Sequence, residues 1–104
     1  MHRDVVWARS ARADLAGILR HIAGDNPDAA KRVATRVRQA ATNLEELASG
    51  RAGRVTGTYE RVLPGLPYIL AYEIVVRPQG GEFIGILHII HGARDWQAEQ
   101  WPIG

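Results

Sequence analysis

The sequence has no cysteine among its 104 residues. That excludes disulfides, iron–sulfur clusters, thiolate zinc sites and cysteine nucleophiles together, and it fits a reducing compartment. Lysine is nearly missing as well: twelve of the thirteen basic residues are arginines. Serine occurs only at Ser10 and Ser49, both at expected helix ends, so a serine triad has no support. No apolar stretch is long enough to span a bilayer. The run Val5-Val6-Trp7 is too short for a signal-peptide core. Gly50, Gly53 and Gly57 fit neither a P-loop nor a dinucleotide fingerprint. His88 and His91 lie three apart on an expected strand and therefore point to opposite faces. With no carboxylate at ligand spacing, neither a metal nor another cofactor is expected. These absences lead to the expectation of a cytoplasmic protein without membrane contact, built as a single domain over residues 1–104.

What is present is arginine, distributed unevenly. Net charge is only +2, yet residues 1–61 hold eleven of the thirteen basic side chains and seven of the eleven acidic ones. Guanidinium forks bind phosphate or carboxylate in a bidentate way that lysine cannot match. A basic face for nucleic acid or for an acidic protein partner is one reading, and a solvated helix face is the other.

Hydrophobic periodicity divides the chain into two helices and a run of strands. Residues 4–7 read as a short strand leading to Ser10, a candidate helix cap, with Asp14 in the first turn. Leu15, Ile18, Leu19 and Ile22 form one apolar stripe that ends near Gly24. Asn26-Pro27 signals a second helix start. Ala30, Val33, Ala34, Val37, Ala41, Leu44 and Leu47 then continue at helical spacing to about Ala48, before Gly50. The very short linker predicts an antiparallel helical hairpin. Residues 51–57 read as loop. The period then changes to two: strands are expected over 59–63, 68–76 and 83–90, separated by Pro64-Gly65-Leu66-Pro67 and Pro78-Gln79-Gly80-Gly81. The last strand is apolar on both faces, with Ile84, Ile86 and Ile90 on one side and Phe83, Leu87 and Ile89 on the other. It should be central. The order β-α-α-β-β-β predicts an α+β fold, a helical hairpin packed on a small twisted antiparallel sheet.

Polar residues gather around that sheet: Tyr59, Glu60, Arg61, Tyr68, Tyr72, His88, His91, Arg94, Asp95 and Trp96. Arginine, histidine and tyrosine together can position a phosphodiester and move protons, and they can equally form a protein-binding rim. Glu60 and Arg61 are strand neighbours facing opposite sides, which suggests that one of them serves a structural ion pair. Tyr72, within apolar alternation, reads as core.

Three segments resemble the RelE/ParE toxins of type II toxin–antitoxin systems. Trp7-Ala-Arg-Ser-Ala-Arg-Ala-Asp-Leu with Asn26-Pro-Asp-Ala-Ala resembles their helical hairpin. Residues 57–72, from Gly57-Thr-Tyr-Glu-Arg to Leu70-Ala-Tyr, resemble the first two meander strands. Ile86-Leu-His-Ile-Ile-His-Gly-Ala-Arg-Asp-Trp resembles the last strand and C-terminal motif. The resemblance covers nearly the whole chain in the right order. It implies a toxin held in a hetero-oligomer by a cognate antitoxin that folds on binding. Arg12, Arg32 and Arg36 are the expected antitoxin contacts. The family divides into RelE-like members that cut ribosome-bound mRNA and ParE-like members that poison DNA gyrase. Arg94 falls where RelE-like members keep a catalytic arginine. Ile69, however, stands where they place another arginine, and no tyrosine follows near Gln100-Trp101. The ParE-like reading is therefore favoured, with Arg94, Asp95, Trp96 and Trp101 as target contacts. The alternative is a ribosome-dependent endoribonuclease using Arg94, Arg61 and His91. A protein-binding domain without toxicity is a further alternative.

Overall fold

The computed structural model describes residues 3–46, 48 and 50–92. The elements are β1 (Asp4–Trp7), α1 (Arg9–Asp25), α2 (Pro27–Glu46), β2 (Arg51–Ala52), β3 (Tyr59–Val62), β4 (Tyr68–Val76) and β5 (Glu82–His91). They form one sheet of order β1-β5-β4-β3-β2. The meander β2 to β5 is antiparallel, but β1 joins the far edge parallel to β5, pairing Asp4 with Phe83 through Trp7 with Ile86. The sheet is therefore mixed, not purely antiparallel as expected. The parallel pairing follows from the crossover: the whole helical hairpin and the meander lie between β1 and β5, room enough to bring the chain back in the same direction. β2 was expected to be loop. Gly50 makes it fit, because a Cβ there would stand 2.6 Å from the Glu60 carbonyl oxygen opposite.

Both helices form for the reasons the sequence offers, with one exception. Asn26 caps α2 as expected: its Oδ1 accepts the Ala29 N–H at 3.1 Å, with Pro27 as the first helical residue. The exception is Ser10, which is not a cap. The cap of α1 is Ala8, without a side-chain hydrogen bond, and no acidic residue lies in the first turn, so Asp14 sits deeper in the helix. The reason lies in β5. That strand runs ten residues and β1 only four. Beyond Trp7, the backbone of β5 on that side has no strand beside it. Ser10 and Asp14, four apart and so on one helix face, take its place. The Ser10 hydroxyl donates to the Leu87 carbonyl at 2.6 Å. The Asp14 carboxylate accepts the Ile89 N–H at 3.0 Å. The same carboxylate oxygen is 3.0 Å from Nδ1 of buried His88. A carboxylate only accepts, so Nδ1 carries the proton.

A β-bulge sits at this point. Tyr72 pairs with Ile86 but Ala71 pairs with His88, so Leu87 is the extra residue. The bulge reverses the alternation of everything after it. Ile89 therefore joins Ile84 and Ile86 in the core beneath the helices, opposite Leu70 and Tyr72, and not the other face as strict alternation predicted. Ala11, Leu15, Val37, Ala41 and Leu44 cover that face from the helices. The centrality of β5 holds: it pairs on both sides and is buried along most of its length.

Replacing Asp14 by alanine strands the buried Ile89 N–H and removes one partner of His88. It should cost about 2 kcal/mol and lower Tm by roughly 10 °C in thermal denaturation, with Asp14→Asn retaining most of the stability.

Candidate functional site

The polar residues gathered by the sequence do not form one cluster. Antiparallel partners face the same side, so the pairs Tyr59–Tyr72 and Arg61–Leu70 put Tyr59 and Arg61 on the helix-covered face. Glu60, opposite Ala71, takes the other face. It is buried at 2% exposure. Its carboxylate accepts the Arg54 N–H at 2.9 Å and meets the guanidinium groups of Arg51 at 3.4 Å and Arg54 at 3.7 Å. Glu60 is thus the structural ion-pair residue of the Glu60–Arg61 pair, and it folds the loop after β2 back onto the sheet.

Tyr72 is core, as its apolar neighbours suggested. It stacks on Tyr59 with ring centroids 5.5 Å apart. Burial pushes its phenol above the ordinary 10.0, Tyr59 adds to the rise, and the charges of Arg61 and Arg3 oppose it. His91 stands at the end of β5, edge-on to Tyr68 at 5.7 Å. β4 runs between His91 and Arg61, so two strand spacings, about 10 Å, separate their backbones. Both face the same side of the sheet, since His91 pairs with Tyr68 and Arg61 with Leu70. Arg94, Asp95, Trp96 and Trp101 lie outside the described residues.

Two clefts organise the arginines instead. One, about 580 Å³, is lined by Val6, Trp7, Arg12, Leu15 and Arg38 beside β1, the outermost strand on that edge. Val6 is 47% exposed there. Arg12 was expected at an interface; Arg38, its companion from α2, was not singled out. The other cleft lies between α2 and the β3–β4 turn and contains Arg36 and Arg61. Arg32 shares a basic stretch of the α2 surface with Lys31, Thr35 and Arg36. The three expected antitoxin contacts thus fall into separate places: Arg12 at the β1 edge, Arg32 and Arg36 along α2.

On the face opposite the helices, Ile69 pairs with Val62 on one side and Ile90 on the other. This cross-strand row is apolar.

Comparison with known proteins agrees with this architecture. The family model for the ParE toxin of the type II toxin–antitoxin system parDE matches residues 5–96. This chain belongs to the ParE toxin family. The candidate toxin Y4kP of Sinorhizobium fredii (strain NBRC 101917 / NGR234) is 38% identical over 95 residues, covering 90% of this chain and 93% of that protein. Toxin RelE2 of Caulobacter vibrioides (strain ATCC 19089 / CIP 103742 / CB 15) is 33% identical over 94 residues, covering 88% and 97%. A solved structure of a chromosomal ParDE toxin–antitoxin system from P. aeruginosa superposes with a TM-score of 0.74 at 26% identity, over 86% of this chain and 96% of that one. This ParE-family chain is thus the toxin component of a type II module, and its α+β fold is the family's.

The raised Tyr72 pKa makes the neutral phenol the form that the fold prefers. Its contribution to stability is complete below pH 10.0 and is lost as pH rises through the higher folded value. Phenolate absorbance in the folded protein should show one tyrosine titrating above the ordinary range. Tyr72→Phe should abolish that component and flatten the alkaline fall of Tm.

Proposed function

We propose that this toxin acts on DNA gyrase and does not cut mRNA. The observation that supports this reading is the apolar row Val62–Ile69–Ile90. A nuclease must hold cations where charge develops on the scissile phosphate, and this row offers methyl groups there. Arg61, paired with Leu70, and His91, paired with Tyr68, face the other side of the sheet, so neither supplies the missing charge to that row. The activity is then one of binding. The toxin engages the topoisomerase through Arg94, Asp95, Trp96 and Trp101 and biases it toward a non-productive state. The ribosome-dependent endoribonuclease, with Arg94, Arg61 and His91, is the alternative that the experiment below tests.

Neutralisation belongs to a cognate antitoxin in a cytoplasmic complex. The apolar floor of Val6, Trp7 and Leu15 with Arg12 and Arg38 above it suits an acidic, partly apolar segment that orders on binding. Arg32 and Arg36 extend the positive surface along α2. An exposed apolar residue beside two guanidinium groups is the composition of an interface that is covered in the cell.

Induced expression should block replication and produce filamentous cells, and purified toxin should inhibit gyrase supercoiling. Primer extension on mRNA from induced cells should show no new ends. Codon-phased cuts within minutes, with supercoiling untouched, would overturn the proposal.

A further inference from the structure

We propose that the cleft between α2 and the β3–β4 turn is a binding site for a phosphoryl group, a role separate from whichever target the toxin has. The cleft measures about 180 Å³. Arg36, Gln39 and Asn43 come from α2 at positions i, i+3 and i+7, and so line one wall together. Arg61 rises from β3, and Leu63, Pro64 and Leu66 close the opposite side. None of the lining residues is acidic.

The two cations are held there by the fold. Arg36 Nη2 donates to the Pro64 carbonyl at 2.9 Å, which aims its guanidinium across the cleft. Gly65 makes this approach available. Its φ of +74° belongs to the left-handed region, and a Cβ there would stand 3.0 Å from Arg36 Nη2. Arg61 is half-buried and has neither a hydrogen bond nor a salt bridge to another described residue. Its sequence neighbour Glu60 is turned to the other face and is engaged by Arg51 and Arg54. A half-buried cation without a counter-charge, facing a second cation across a small cleft, is costly unless an anion joins them.

Donor count and charge favour phosphoryl over carboxylate. Each guanidinium carries five N–H donors, and Gln39 and Asn43 add amides. A carboxylate has one negative charge and about four lone-pair sites. A phosphomonoester has three oxygens and up to two charges, which balances two arginines. This balance favours a small phosphorylated molecule, whose monoester carries up to two charges, over the singly charged diester backbone of a nucleic acid, and the probes below separate the two sources.

The test is a nitrogen-15 NMR titration of the whole toxin with inorganic phosphate, then with a short DNA duplex, followed at the arginine Nε–H signals. Phosphate should shift Arg36 and Arg61 saturably, with a Kd on the order of 1 mM. Arg61→Gln and Arg36→Gln should each weaken it by about tenfold or more, since each removes a charge-assisted fork. Arg20→Gln, exposed on α1 and outside the cleft, should leave it unchanged. Arg36 is exposed, so its variant keeps the test alive if Arg61→Gln destabilises the fold. Duplex binding that is tighter than phosphate and sensitive to Arg61→Gln assigns the source to nucleic acid; binding of phosphate alone assigns it to a small molecule. Three results overturn the proposal: shifts that never saturate, equal loss in Arg20→Gln, or acetate binding as tightly as phosphate.

Discussion

Ten residues of β5 need partners along an edge where β1 supplies only four. An unpaired strand edge next to a buried core is costly, because each orphan backbone group forfeits a hydrogen bond. The chain solves this with two side chains of α1. Ser10 and Asp14 satisfy Leu87 and Ile89 where the next strand would have stood. The bulge at Leu87 turns those groups toward the helix and returns Ile89 to the core. α1 is thereby fixed at its first turns, and α2 follows through the short linker. A second tie, the Arg3 N–H to the Glu45 carbonyl at 2.9 Å, holds the end of α2 against β1. Both arginine clefts depend on this clamp, since each is walled partly by a helix and partly by the sheet or its turns.

The charges divide along the same lines. Four carboxylates are spent on the architecture: Glu60 on Arg51 and Arg54, Glu82 on Arg3, Asp4 on Arg77 and Asp14 on β5. Arg12, Arg32, Arg36, Arg38 and Arg61 have no carboxylate partner among the described residues. A net charge of only +2 conceals this arrangement, because four of the eleven acids are engaged internally while these arginines have no carboxylate partner among the described residues. That set of arginines complements the acidic antitoxin segment proposed above.

Much of the fold was legible because its signals are local. Periodicity located both helices and the last three strands, Asn26-Pro27 marked its helix start correctly, and Tyr72 declared itself core. The misplacements share a physical cause: each depends on contacts distant in sequence. Ser10 looks like a cap until β5, 77 residues away, claims its hydroxyl. The side chosen for Ile89 follows alternation until the bulge reverses it. The position of β1 depends on a crossover of more than seventy residues. Arg36 and Arg61 share a cleft only because the β3–β4 turn reaches α2. The signal for that cleft was present as a polar stripe, Arg36, Gln39 and Asn43, beside the apolar stripe of the same helix. A stripe on one element, however, does not name what faces it.

The clamp at the β5 edge can be measured at one atom. If Asp14 replaces the missing strand, the Ile89 amide is held as firmly as the amides of the sheet interior, and it exchanges with solvent only through global unfolding. Native-state hydrogen exchange should give Ile89 a protection equal to that of Leu70. In Asp14→Ala, Ile89 should exchange by local opening, far faster than Leu70 in the same protein. Equal protection of both amides in the variant would contradict the account, because the helix would then be held to the sheet by packing alone.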